Sequence, residues 1–256
     1  MSHTDTTIQV QGITARMFRG GEGAPVMLLH GAAGLSRWTS FLETIASGFD
    51  LLVPEHPGFG SSDDPASIAT IADLADYYLA AIETLRLPRL HLIGSSMGGW
   101  LAAEVAVRAP SLLSSLTVIG PAGLRPRTTP PAPTPEEQTR RMFHNQEFAE
   151  RILAEPLSEE QKRIQQKNRQ TVAKLGAGSY CNPALEADLK KVDLPSLVVW
   201  GDSDRIVPVE QAALWAQALP RAQTLIVERS GHLPHYEHPA LVGEKILAFL
   251  KAVQTA

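Results

Sequence analysis

Leu90-His91-Leu92-Ile93-Gly94-Ser95-Ser96-Met97-Gly98-Gly99-Trp100 carries a short apolar run into a glycine-rich turn and out into a second pattern. Leu90–Ile93 has the composition of a buried strand, and Trp100–Arg108 has helical spacing until Ala109-Pro110 stops it. A Gly-x-Ser-x-Gly turn between a strand and a helix holds its serine on strained backbone, with the hydroxyl clear of the sheet. Gly94 and Gly98 suit that turn because neighbouring chain passes too close for a Cβ. The helix that follows points its first amides at the same place, where negative charge would be stabilised. Ser96 sits at the tip and Ser95 points away from it. A plain glycine-rich turn is the alternative, and the flanking strand and helix argue against it.

The alternation continues outward on both sides. Thr6–Val10 and Thr14–Arg19 read as a hairpin turning at Gln11-Gly12, while Val26–Leu29 and Leu51–Val53 read as strands covered on both faces. From Ser67 to Leu85 the apolar residues Ile68, Ile71, Leu74, Ala75, Tyr78, Leu79, Ile82 and Leu85 recur at helical spacing until Pro88. Leu116–Ile119, Ser196–Trp200 and Thr224–Val227 are further strands, and Gln211–Leu219 and Ala240–Val253 further helices. This is an α/β pattern around a mostly parallel, twisted sheet flanked by helices. It breaks from Gly120 to Pro135, which is rich in proline and threonine, and from about Glu136 to Lys174, which is charged and helical. The expected organisation is a core of residues 1–120 and 193–256, with residues 121–192 inserted after the sixth strand as a helical lid.

Composition narrows the function. At 256 residues, 44% hydrophobic and 20% charged, the chain has enough material for a large core without staples. Lys and Arg number 23 against 27 Asp and Glu, a net charge of −4, so no basic excess favours nucleic acid or anionic lipid. The single Cys181 excludes a disulfide within the chain and a multi-cysteine metal cluster. Residues 1–7 lack the basic and apolar regions of a secretory signal, and no apolar run approaches the roughly 18–20 residues of a membrane span. The expectation is a cytoplasmic monomer or homodimer acting on a small molecule, with no metal, cofactor, nucleic acid or membrane.

A serine hydroxyl needs a base to become a nucleophile. An elbow serine predicts an acid and then a histidine later in the chain, on loops at the carboxyl ends of strands. Gly201-Asp202-Ser203-Asp204 follows one such strand, and Ser230-Gly231-His232-Leu233-Pro234 follows the next.

Five motifs stand in order: His30-Gly31-Ala32-Ala33-Gly34, Pro57-Gly58-Phe59-Gly60-Ser61-Ser62, Gly94-Ser95-Ser96-Met97-Gly98-Gly99, Trp200-Gly201-Asp202-Ser203-Asp204-Arg205-Ile206-Val207-Pro208 and Gly231-His232. With them the chain resembles the α/β-hydrolase family over nearly all its length outside the lid. The resemblance implies Ser96 as nucleophile, Asp204 as the orienting acid and His232 as the base, leaving Asp202 to order its turn. It implies an oxyanion hole made by the backbone N–H groups of Ala32 and Met97, with Ala33 the neighbour that could replace Ala32. The implied reaction is cleavage of a small to medium carboxylic ester through an acyl-enzyme on Ser96. The alternative is a C–C bond hydrolase acting on diketone ring-cleavage products, whose members share Ser-Met-Gly-Gly and Gly-Asp-x-Asp-Arg-x-Val-Pro. This chain departs from them at Ala32-Ala33, at Ser95 and at Leu233. A perhydrolase or acyltransferase, or a slow-turnover ligand receptor, completes the alternatives.

Other residues carry two readings each. Met142, Phe143 and Phe148 line a substrate pocket under the lid or form the lid's own packing stripe. Trp100 is core or pocket wall, and Ala33 and Leu233 are pocket candidates beside the implied site. His30 and the Glu55-His56 pair read as loop-ordering groups. His235 and His238 read as surface or loop residues, Glu159–Arg163 as a solvated helix face, and Cys181 as a buried or incidental thiol.

Overall fold

Gln11 and Gly12 accept left-handed backbone, with φ of 51° and 81°, the conformation that a two-residue hairpin turn requires. They join β1 (His3–Val10) to β2 (Ile13–Gly20), with Val10 opposite Ile13. The computed structural model describes residues 3–126, 134–176 and 180–255, so part of the proline-rich connector (127–133) lies outside the described residues. Then follow β3 (Pro25–Leu29), α1 (Ser40–Ala46), β4 (Asp50–Pro54), α2 (Ile71–Thr84), β5 (Leu90–Ser95), α3 (Met97–Arg108) and β6 (Leu113–Ile119). After β6 come α4 (Pro135–Met142), α5 (Gln146–Ala154), α6 (Glu159–Leu175) and α7 (Leu185–Leu189). The chain closes with β7 (Ser196–Gly201), α8 (Gln211–Ala218), β8 (Ala222–Val227), α9 (Pro234–Glu237) and α10 (Pro239–Gln254).

These strands form one eight-stranded sheet in the order β1-β2-β4-β3-β5-β6-β7-β8. The first two pairings, β1 with β2 and β2 with β4, are antiparallel; every pairing from β4 onward is parallel. β3, β5 and β7 are buried along their whole length, which is why they read as continuous apolar runs and not as alternating ones. One face packs Leu74, Tyr78, Leu101 and Trp215 against Met27, Leu92 and Val198. The other packs Phe41, Ile45, Ile246 and Leu250 against Val26, Ile93 and Val199. Each such Leu, Ile or Phe stabilises the fold by about 1.5–3 kcal/mol on burial. A one-residue slip of a central strand would therefore be opposed on both faces.

Local chemistry sets the element boundaries. α2 begins at Ile71, not near Ser67, because Thr70 and Asp73 close a capping box: Asp73 N–H donates to Thr70 Oγ1 and Thr70 N–H to Asp73 Oδ2. The charged stretch expected as helical is three helices, α4 to α6, whose N-caps Thr134, Asn145 and Ser158 each accept from a first-turn amide. The short α1 and α7 have too few periodic positions to be read from sequence. α7 buries Leu185 and Leu189 in the same cluster as α3. Among the described residues no helix is long and apolar enough to cross a membrane.

Candidate active site

The parallel strands end on one edge of the sheet, and the turns leaving β3, β5, β7 and β8 meet there. Ser96 links β5 to α3 at φ 54° and ψ −117°, a backbone state that a non-glycine residue holds only when its surroundings enforce it. Ser96 N–H donates to Ile119 O at 2.8 Å. A Cβ on Gly94 would run into Gly98 O, and one on Gly98 into Leu29 O and His30 O. Both glycines are thus required by close approach. Met97 is the first residue of α3, so its N–H has no acceptor within the helix.

His232 joins the elbow to the β7 turn. Its Nε2 lies 2.8 Å from Ser96 Oγ and its Nδ1 2.8 Å from Asp204 Oδ2. Asp204 Oδ1 accepts from Ile206 N–H at 2.8 Å and Val207 N–H at 2.9 Å, leaving Oδ2 to the imidazole. A carboxylate accepts only, so Nδ1 carries the proton and the Nε2 lone pair faces the serine hydroxyl. His232 and Asp204 are both buried. Asp202 does a different job: it accepts from Arg229 N–H, Ser230 N–H and Ser203 Oγ, tying the β7 and β8 turns together. Burial raises its pKa, but those hydrogen bonds outweigh burial and lower it.

His235 corrects the reading of it as a surface residue. It is 9% exposed, with its ring 5.2 Å from Phe41 and 4.8 Å from Tyr236. Pro234 starts the single turn of α9, which rotates the ring inward. His238 stays partly exposed, with Nε2 3.2 Å from Arg229 O.

The turn after β3 faces the elbow, for a Cβ on Gly31 would sit 3.2 Å from Ser96 Cβ. Gly34 N–H closes the turn on Gly31 O at 3.1 Å, and His30 Nδ1–H donates to the same oxygen at 2.8 Å. A trans peptide directs its C=O and N–H oppositely, so holding Gly31 O aims Ala32 N–H. His56 N–H donates to His30 Nε2 at 3.0 Å, His56 Nε2–H to His30 O at 2.9 Å, and Tyr78 Oη–H to His56 Nδ1 at 2.6 Å. Each ring nitrogen in this chain has one role, and both rings are neutral. Burial pushes His30 down to about 4 and His56 well below its ordinary value. Beside them the Glu55 carboxylate accepts from Ser61 N–H, Ser62 N–H and Ser62 Oγ, which orders the loop.

Buried neutral histidines make stability depend on pH. Burial lowers His30 to about 4 and His235 to about 3, against the usual 6.5. The unfolded chain takes up these protons as pH falls through 6.5, and the folded chain does not until far lower. Stability present above pH 6.5 is therefore lost as pH falls toward 4, by about 1.4 kcal/mol per pH unit for each ring. The urea midpoint is expected to stay level from pH 8 to 7 and to fall steadily from pH 6 to 5. A midpoint constant down to pH 5 would contradict the buried neutral rings.

The pocket candidates divide. Trp100 is buried in the main core, its Nε1–H donating to Glu104 Oε1 at 3.0 Å. Met142 turns its carbonyl to His232 N–H at 2.8 Å. Phe143, buried, meets Phe148 edge-on at 5.0 Å, and the Arg151 guanidinium lies over Phe148. Leu233 is half-buried next to His232, and Ala32 and Ala33 are exposed at the turn. Sequence reasoning missed Glu237, which accepts from Gly231 N–H at 2.6 Å and Asn145 N–H at 2.7 Å. It also missed His144, whose Nδ1 is 3.0 Å from Ser203 Oγ. Neither sits in a motif; both tie the α4–α5 connection to the site loops.

Comparison with known proteins agrees with this architecture. The profile of the alpha/beta hydrolase family matches residues 26–244. The 2-hydroxy-6-oxononadienedioate/2-hydroxy-6-oxononatrienedioate hydrolase of Paraburkholderia phymatum is 26% identical over 88% of this chain and 86% of its own. The dihydrolipoyllysine-residue acetyltransferase component of the acetoin cleaving system of Pseudomonas putida is 27% identical over 95% of this chain and 68% of its own. The crystal structure of a membrane phospholipase A, a bacterial virulence factor, superposes with a TM-score of 0.83 at 25% identity, covering 99% of this chain and 87% of that one. A profile match over most of the chain, on a sheet with the elbow at the end of β5, means that this protein belongs to the alpha/beta hydrolase family.

Proposed function

We propose that the chain is a serine hydrolase that cleaves an acyl compound through a covalent intermediate on Ser96. The observation that carries this reading is the unbroken relay from Ser96 Oγ to His232 Nε2 and from His232 Nδ1 to Asp204, 2.8 Å at each step. Ser96 Oγ attacks the substrate carbonyl carbon while His232 Nε2 takes its proton, and Asp204 stabilises the imidazolium. The N–H groups of Ala32 and Met97 receive the oxyanion. Collapse of the tetrahedral adduct expels the leaving group, which takes the proton from His232. Water then gives a proton to His232 and attacks the acyl carbon. Expulsion of Ser96 Oγ, reprotonated by His232, frees the acid.

For the bond cleaved, the reading with most support is a C–C bond in a vinylogous diketone acid, where the leaving group is a stabilised carbanion. It is supported by the name of the Paraburkholderia relative, which aligns over most of both chains. The second reading is a carboxylic ester, favoured by Ala32-Ala33, Ser95 and Leu233, which differ from the residues usual in C–C hydrolases. Turnover of 2-hydroxy-6-oxo-6-phenylhexa-2,4-dienoate and of p-nitrophenyl butyrate by one preparation separates them. The first reading expects kcat/KM at least about tenfold higher for the diketone, ~1.4 kcal/mol in transition-state stabilisation. The reverse ratio selects the ester, and absence of turnover on both overturns the hydrolase reading.

A further inference from the structure

Asn168 lies in α6, within the helical insertion, and is 4% exposed. Its Nδ2 donates to Ala33 O at 3.0 Å and its Oδ1 accepts from Gly60 N–H at 2.9 Å. The partners leave no ambiguity in the amide's orientation, since a carbonyl cannot donate and an N–H cannot accept. Ala33 O and Gly34 N–H belong to one peptide group. Holding Ala33 O toward α6 therefore turns Gly34 N–H the other way, onto Gly31 O. Gly31 O in turn sets the direction of Ala32 N–H. The fit is tight: Gly34 has φ 86°, and a Cβ there would come within 2.5 Å of Asn168 Nδ2. His30 fixes this turn from the core side and Asn168 fixes it from the insertion.

We propose that Asn168 is a positioning residue for the oxyanion turn Gly31–Gly34, so that docking of α6 and alignment of the Ala32 donor occur together. The proposal rests on the acyl-enzyme reading of Ser96. It differs from simple docking of α6, which other contacts also serve: Thr171 Oγ1 donates to Gly58 O at 2.6 Å and Lys167 Nζ to Gly60 O and Ser62 O. None of those three bonds involves residues 31–34.

N168D keeps the size and the acceptor for Gly60 N–H but sets a carboxylate oxygen against Ala33 O. T171V removes a docking bond from the same helix and leaves the oxyanion turn untouched. With the better of the two substrates above, N168D is expected to lower kcat about tenfold and change KM less than about twofold. That is part of the ~10²–10³ lost when a donor is removed outright. Inhibition by phenylboronic acid, whose tetrahedral adduct on Ser96 places an oxygen in the hole, is expected to weaken by a similar factor. T171V is expected to lower the thermal midpoint but to keep kcat and boronate inhibition within about twofold of the parent. If N168D does not fold, N168A, which removes both bonds without adding charge, is judged by the same criteria. Equal kcat in the parent, N168D and T171V, or a loss confined to KM, overturns the positioning role alone. Wild-type turnover that survives S96A overturns the acyl-enzyme reading and this proposal with it.

Discussion

S96A is expected to lower kcat by about 10⁴–10⁶-fold and to leave the thermal midpoint within a few degrees of the parent. On the acyl-enzyme reading the loss follows from removing the attacking atom, since no hydroxyl then stands 2.8 Å from His232 Nε2. Ser95 cannot replace it: its side chain is buried on β5 and its Oγ has no hydrogen-bond partner. Stability is retained because the backbone strain at φ 54° is borne equally by alanine and serine, and Ser96 caps no amide of α3. Turnover is not expected to fall to zero, because substrate binding and the proposed oxyanion donors Ala32 and Met97, untouched by the change, should sustain a rate about 10³-fold above water. Active-site titration excludes traces of parent enzyme, and a homogeneous variant keeping more than about 1% of parental kcat would remove Ser96 as nucleophile.

D204N is expected to lower kcat by about 10³–10⁴-fold without disrupting the β7 turn. Ile206 N–H and Val207 N–H both require an acceptor at Oδ1, so the asparagine carbonyl goes there and its NH₂ faces His232. Nδ1 must then accept, the ring proton moves to Nε2, and the base presents a donor to Ser96 where a lone pair is needed. The geometry survives and the chemistry fails. D202N provides the contrast, because Asp202 serves Arg229, Ser230 and Ser203 and not the imidazole. It is expected to cost about 1–2 kcal/mol of stability through weaker turn hydrogen bonds, with kcat within about fivefold of the parent. If the two variants exchange these effects, the acid of the relay is Asp202.

The elbow could be read before the fold because its determinants are local. A buried strand, glycines that avoid Gly98 O and Leu29 O, and a helix start all fall within Leu90–Trp100. The loops that hold Asp204 and His232 could be placed because each follows a strand of the sheet, whereas the choice of Asp204 over Asp202 came from the family resemblance. His235 was misread because its burial depends on one turn of helix that rotates it toward Phe41, and four residues leave too little periodicity to show that. For Met142, Phe143 and Phe148 the sequence offers no means to choose between pocket and packing; in the fold Phe143 and Phe148 meet each other.

From sequence alone came the alternation of strands and helices, the helical stretch that follows the sixth strand, and the residue types able to carry acyl transfer. These follow from periodicity, glycine geometry and turn chemistry, which act over a few residues at a time. Only the tertiary structure showed Asp204 Oδ2 against the imidazole, how the His30–His56–Tyr78 chain aims a peptide, and that Asn168 meets Ala33 across 135 residues. A side-chain hydrogen bond to a distant backbone group leaves no local pattern, because it exists only after two-sided packing has brought the segments within about 3 Å of each other.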